Sequence, residues 1–159
     1  MVDLTKRRLF GKHTLNSADN PLPWLKHPQS LSEQCTRCQR CLDVCDTQII
    51  VKGDGGFPSV DFSKGECSFC YQCANVCPED LFASQENSPW KATANVSHDC
   101  LAFHQVDCRS CGDSCDENAI RFHLAVGRAA TPVIDSQLCS GCGACVSVCP
   151  TQAINIHHR

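Results

Sequence analysis

A small α+β fold, made of two tandem modules with short antiparallel strands and short helices, is predicted by three features of this 159-residue chain. Its sixteen cysteines fall into four groups of four with none left over. The last cysteine of each group, Cys45, Cys77, Cys115 and Cys149, recurs after 32, 38 and 34 residues, and the widest gap separates two pairs of repeats. Short apolar pieces flank the groups in alternation, as small strands require.

The groups are Cys35, Cys38, Cys41 and Cys45; Cys67, Cys70, Cys73 and Cys77; Cys100, Cys108, Cys111 and Cys115; and Cys139, Cys142, Cys145 and Cys149. Three of them read C-x2-C-x2-C-x3-C, the ligand run of bacterial [4Fe-4S] ferredoxins. Three thiolates within seven residues make the backbone wrap one compact object, which suits an iron-sulfur cube better than a lone ion. The fold is therefore predicted to be ferredoxin-like, with two modules of the bacterial 2[4Fe-4S] type.

In chain order, residues 1–30 are polar, contain three prolines and keep no helical or strand period, so they are predicted to form a flexible basic arm. Residues 31–86 make the first module, 87–95 a polar linker around Asn87, Ser88 and Pro89, and 96–159 the second module. Strands are expected at Ile49–Val51, at Val60 and Phe62, at Leu81 and Phe82, at Ile120 and Phe122, at Val133 and Ile134, and at Ile154 and Ile156. Pro78 and Pro150 follow a fourth cysteine, where a fixed φ and a missing N–H suit the first turn of a short helix. Asp46 and Asp116 stand at the same place in the other repeats and would cap that turn.

Cysteine supplies about a tenth of the chain, a density usual for disulfide scaffolds. The cluster-like spacing and the lack of a secretory signal argue for a reducing compartment instead. Hydrophobic content is 42%, leaving roughly 32% without cysteine, a thin core. The metal-free chain is accordingly predicted to be loose or unfolded. The net charge of −3 divides into +3 for residues 1–30 (five Lys/Arg, two Asp) and −6 for the rest (nine against fifteen). An acidic body disfavours nucleic acid and anionic membrane, and no apolar run reaches spanning length.

In two-cluster ferredoxins the first three cysteines of a run bind one cube and the fourth binds its neighbour. Applied within each pair, this groups Cys35, Cys38, Cys41 and Cys77; Cys67, Cys70, Cys73 and Cys45; and Cys139, Cys142, Cys145 and Cys115. A fourth cluster needs Cys100, Cys108, Cys111 and Cys149, but seven residues separate Cys100 from Cys108, and the loop must fold back for Cys100 to reach. Three [4Fe-4S] clusters are thus expected from regular runs, and a fourth, the most labile, from the stretched one. Gly141 and Gly143 are expected to bring backbone N–H groups to sulfur, and Arg37 and Arg40 to place positive charge at the first cluster.

Other cysteine chemistries fit less well. Zinc takes separated C-x2-C pairs, and haem attachment needs a histidine after C-x-x-C, which no pair here has. His98, His104, His123, His157 and His158 are read as solvent-facing or packing residues. Lys6-Arg7-Arg8-Leu9-Phe10-Gly11-Lys12 resembles a twin-arginine export signal, but the following HTLNSADNPLPW supplies no apolar segment. The arm is read instead as a leader or a docking segment, with Leu9, Phe10, Leu22, Trp24 and Leu25 as anchors. No phosphate-binding loop, dinucleotide fingerprint or nucleophile elbow is present, so no enzymatic activity is expected.

Arg7-Arg8, GGFPSVDF at 55–62, CSFCYQCANVCPEDLF at 67–82, CLAF at 100–103 and CRSCGDSCDENAIRF at 108–122 together resemble the NapF family, ferredoxin-type accessory proteins of periplasmic nitrate reductase systems. QLCSGCGACVSVCPTQAI at 137–154 is generic to ferredoxins. The resemblance implies a cytoplasmic iron-sulfur protein that binds the precursor of the molybdenum subunit NapA before export and assists its maturation, including iron-sulfur cluster insertion. A low-potential electron carrier of a nitrate-respiration chain is the alternative, and a binding module merely stapled by clusters a third reading.

Overall fold

The computed structural model describes residues 20–158. The four cysteine runs share one short helix. A four-residue helix begins just before the third cysteine: α2 (Arg40–Asp43), α3 (Gln72–Asn75), α4 (Ser110–Asp113) and α5 (Ala144–Ser147). In the regular runs, residues between the cysteines take left-handed backbone: Arg37 and Gln39, Phe69 and Tyr71, Gly141 and Gly143. Alternating this geometry with the cysteines turns three thiols toward one centre. For non-glycine residues it costs about 1–2 kcal/mol each, so the surrounding fold must hold it. The stretched run lacks this pattern, Arg109 having φ −132°.

The strands follow in antiparallel pairs. β1 (Ile50–Lys52) pairs with β2 (Pro58–Val60), Ile50 opposite Val60. β4 (Ile120–His123) pairs with β5 (Thr131–Ile134), Ile120 opposite Ile134. β3 (Ala92–Val96), which enters the second pair of repeats, pairs with β6 (Ile154–His158), which leaves it. The first module has an abbreviated counterpart of that last pair. Leu25 bridges Phe82, Lys26 N–H donates to the Leu81 carbonyl at 3.0 Å, and Ala83 N–H donates to the Trp24 carbonyl at 2.8 Å.

That counterpart corrects the expected arm. Residues 20–30 are built into the first module: Leu22 and Trp24 are buried, Leu25 packs on the core, and α1 (Pro28–Gln34) starts before residue 31. The anchors Leu22, Trp24 and Leu25 are therefore core residues, while Arg7, Arg8, Leu9 and Phe10 lie outside the described residues. The expected linker 87–95 is also largely structural. Ala92 to Asn95 belong to β3, and the Asn87 carbonyl accepts the Trp24 indole N–H at 2.8 Å.

Two local expectations fail for identifiable reasons. No helix starts at Pro78 or Pro150; the chain turns there, because the short helix has already been used between the second and fourth cysteines. Leu81 and Phe82 form a single bridge rather than a strand, since the partner segment at Leu25 runs straight into α1.

The core is small and divided. Leu22, Ile49, Ile50, Val60 and Phe62 surround Cys73, and Leu31, Phe57 and Leu81 form a satellite beside Cys35 and Cys77. Ala94, Ile120 and Ile154 surround Cys111 and Cys145. Val146 and Ile156 pack against both main groups, which joins the modules. Each large apolar side chain here contributes about 1.5–3 kcal/mol, and few are present.

Candidate metal centres

The fold gathers the sixteen cysteines into four sets, each around its own hollow. Cys35, Cys38, Cys41 and Cys77 line the first. Cys45, Cys67, Cys70 and Cys73 line the second. Cys115, Cys139, Cys142 and Cys145 line a third. Cys100, Cys108, Cys111 and Cys149 line a fourth. In every set the fourth cysteine comes from the neighbouring run, the exchange expected from the spacing.

The stretched run reaches its hollow because residues 101–107 fold back. Leu101–His104 form one tight helical turn, Gln105 caps it in left-handed backbone, and Val106 N–H donates to the Leu101 carbonyl at 3.0 Å. Buried Ala102 fastens the loop to the body. Cys100 thereby lines one hollow with Cys108, Cys111 and Cys149.

The donor set suits iron-sulfur chemistry. All sixteen cysteines are free. Among the described residues no group of three or more His, Cys, Asp or Glu side chains converges to hold a single ion, whose four thiolates would each sit within about 2.3 Å of one point. The thiols instead line four hollows, and four cysteines to a hollow is the donor set that a [4Fe-4S] cube takes. Backbone N–H groups point at sulfur from Arg37 to Cys35 (3.4 Å), Ala94 to Cys139 (3.4 Å) and Ala153 to Cys149 (3.3 Å), and such bonds stabilise negative sulfur.

Burial sets the electrostatics. Desolvation, followed by neighbouring thiols, pushes Cys41 up to about 12. The same holds for Cys73 and Cys145, each also pushed to about 12, and for Cys111, pushed to about 11. Burial likewise pushes Cys67 to about 11, against a hydrogen bond that lowers it. These thiols resist ionising alone, so a metal bound to four of them together must compensate their charge.

Gly141 and Gly143 are demanded by packing: a Cβ on Gly141 would stand 2.8 Å from the Ala92 Cβ, and one on Gly143 would stand 1.9 Å from the Phe62 ring. Arg37 and Arg40 do line the first hollow, together with Lys52. Arg37 is held there by stacking its guanidinium 4.2 Å over the Phe57 ring.

An aromatic seam between the modules was not read from the sequence. Trp90 makes edge contacts with Phe62 (5.9 Å) and Phe69 (5.7 Å), and Trp24 with Tyr71 (5.0 Å). Trp24 stands beside Leu22 and Leu25, but Trp90 sits in an otherwise polar stretch, residues 87–91. That was the available signal, because a tryptophan in such a stretch usually marks burial.

A family model described as a 4Fe-4S dicluster domain matches residues 34–81 and 106–153. The chain is 42% identical over 158 residues to "Ferredoxin-type protein NapF" of Escherichia coli K12, covering 99% of this chain and 96% of that protein. It is 44% identical over 135 residues to the protein of the same name from Haemophilus influenzae, covering 85% and 77%. It is 28% identical over 151 residues to "Ferredoxin-type protein NapG" of Escherichia coli K12, covering 79% and 65%.

Proposed function

The chain belongs to the NapF family of ferredoxin-type [4Fe-4S] proteins, and on that premise we propose that it is a cytoplasmic accessory protein that binds the precursor of a periplasmic nitrate reductase catalytic subunit and assists its maturation before export. The near full-length likeness to NapF proteins carries this reading. In it, all sixteen cysteines are ligands, four clusters form, and the protein performs no catalysis of its own. Each cluster supplies a one-electron redox centre. The chain's residues hold the thiolates, exclude water with Leu22, Ile49, Ile120 and Ile154, and set the local charge with Arg37, Arg40 and Lys52. Among the described residues no helix is long and apolar enough to cross a membrane.

Cluster insertion into the precursor is the proposed form of assistance. Affinity capture of the protein from anaerobic cytoplasm, with iron analysis of the complex, tests partner and compartment together. The unexported precursor should co-purify with it, and the mature periplasmic enzyme should not. Absence of the precursor under conditions where the iron-loaded protein is recovered would overturn the reading. Electron carriage remains a second reading, favoured by the contact between ligand loops described next.

A further inference from the structure

Across the boundaries between sets, charge on one thiol raises the pKa of another in three places: Cys41 acts on Cys73, Cys142 on Cys67, and Cys111 on Cys145. The first and last pairs lie within modules, as the exchanged fourth cysteines require. Cys67 and Cys142 lie in different modules. There the Cys67 N–H donates to the Cys142 carbonyl at 2.8 Å, so two ligand loops touch backbone to backbone.

The contact is enforced from both sides. The Phe62 ring fills the place of a side chain on Gly143, the residue after Cys142, bringing the modules together at the ligand loop. Trp90 spans the gap: its ring meets Phe69, between Cys67 and Cys70, while its indole N–H donates at 3.0 Å to the Ser140 carbonyl, between Cys139 and Cys142. A mere linker between independent modules would not need such a seam.

We propose that the two modules form one continuous electron relay, crossing at Cys67 and Cys142, with Phe62, Trp90 and Gly143 as positioning residues. The four hollows then run in the order Cys35 set, Cys67 set, Cys139 set, Cys108 set. A one-electron donor outside the protein is oxidised as a site at one end is reduced. At the seam, one site loses the electron that its neighbour gains. A one-electron acceptor takes it at the far end. No bond is made or broken. The relay rests on cluster binding by these cysteines and not on any partner, so loss of precursor binding leaves it standing.

The test uses the full-length, iron-loaded protein. One electron is delivered by a photoexcited flavin, and freeze-quench paramagnetic resonance follows its spread. In the native protein the electron should equilibrate over both modules at a rate independent of protein concentration. A rate proportional to concentration would mean that modules exchange electrons only between molecules, and would overturn the relay. Gly143→Ala, at unchanged iron and sulfide content, should slow the crossing several-fold while leaving the phase within each module intact. An unchanged crossing would remove the seam's role. If Gly143→Ala loses iron, Trp90→Phe is read the same way, since it deletes the bond to Ser140 and keeps the ring.

Discussion

The ring of Phe62, from the first module, occupies the space that any side chain on Gly143, in the second module, would need. Gly143 also has φ +87°, which L-residues adopt at a cost. Gly143→Ala should therefore destabilise the iron-loaded protein by about 2–4 kcal/mol, adding overpacking of about 1–3 kcal/mol to backbone strain of about 1–2 kcal/mol. Thermal unfolding under anaerobic conditions measures it. Wild-type stability in the variant would mean that the two surfaces separate freely.

Trp24 is a structural residue of the first module. It is 5% exposed, meets Tyr71 and Phe69 edge-on, and donates to the Asn87 carbonyl. Trp24→Ala should cost about 3–5 kcal/mol. Iron should be lost first from the Cys45, Cys67, Cys70 and Cys73 set, whose hollow Trp24 lines. A cut ending at residue 28 should lower iron content further than one ending at residue 18, and equal iron in the two truncations would contradict the packing of residues 20–28.

Cys100 reaches the fourth hollow only through the folded loop 101–107. Cys100→Ala should lower iron by about four atoms out of about sixteen, one [4Fe-4S] unit, and leave the other three sets intact. Iron and sulfide analysis of the anaerobically reconstituted protein checks this, and an unchanged content would take Cys100 out of the ligand set.

The buried thiols make the iron-free protein alkali-sensitive. Burial raises Cys41, Cys73 and Cys145 from 9.0 to about 12, and Cys67 and Cys111 to about 11. The folded state then holds these protons more tightly than the unfolded one. Their contribution is fully present below pH 9 and disappears as pH rises toward 12. Any tertiary structure of the iron-free chain should melt in that window, followed by near-ultraviolet circular dichroism. The iron-loaded protein, whose thiols are already ionised and compensated, should be far less affected.

Local spacing carried most of the centres. Three cysteines in seven residues dictate a tight wrap, and the rule by which paired runs exchange their fourth cysteines made the three regular sets legible in advance. The packing at Leu25 and Phe82 was not, because two residues of pairing leave no period to read. Neither were the partners of Trp24 and Trp90, because they stand 63 and 50 residues away in the chain.

By itself, the sequence determined the cofactor chemistry, the pairing of the repeats and the division of cysteines among the three regular sets, since each depends on ligand type and short-range spacing. Only the tertiary structure decided that Cys100 meets Cys149, that residues 20–30 belong to the body, and that Cys67 touches Cys142. Those depend on how a loop and two modules close on each other, and the energy for that comes from long-range contacts that no local pattern encodes.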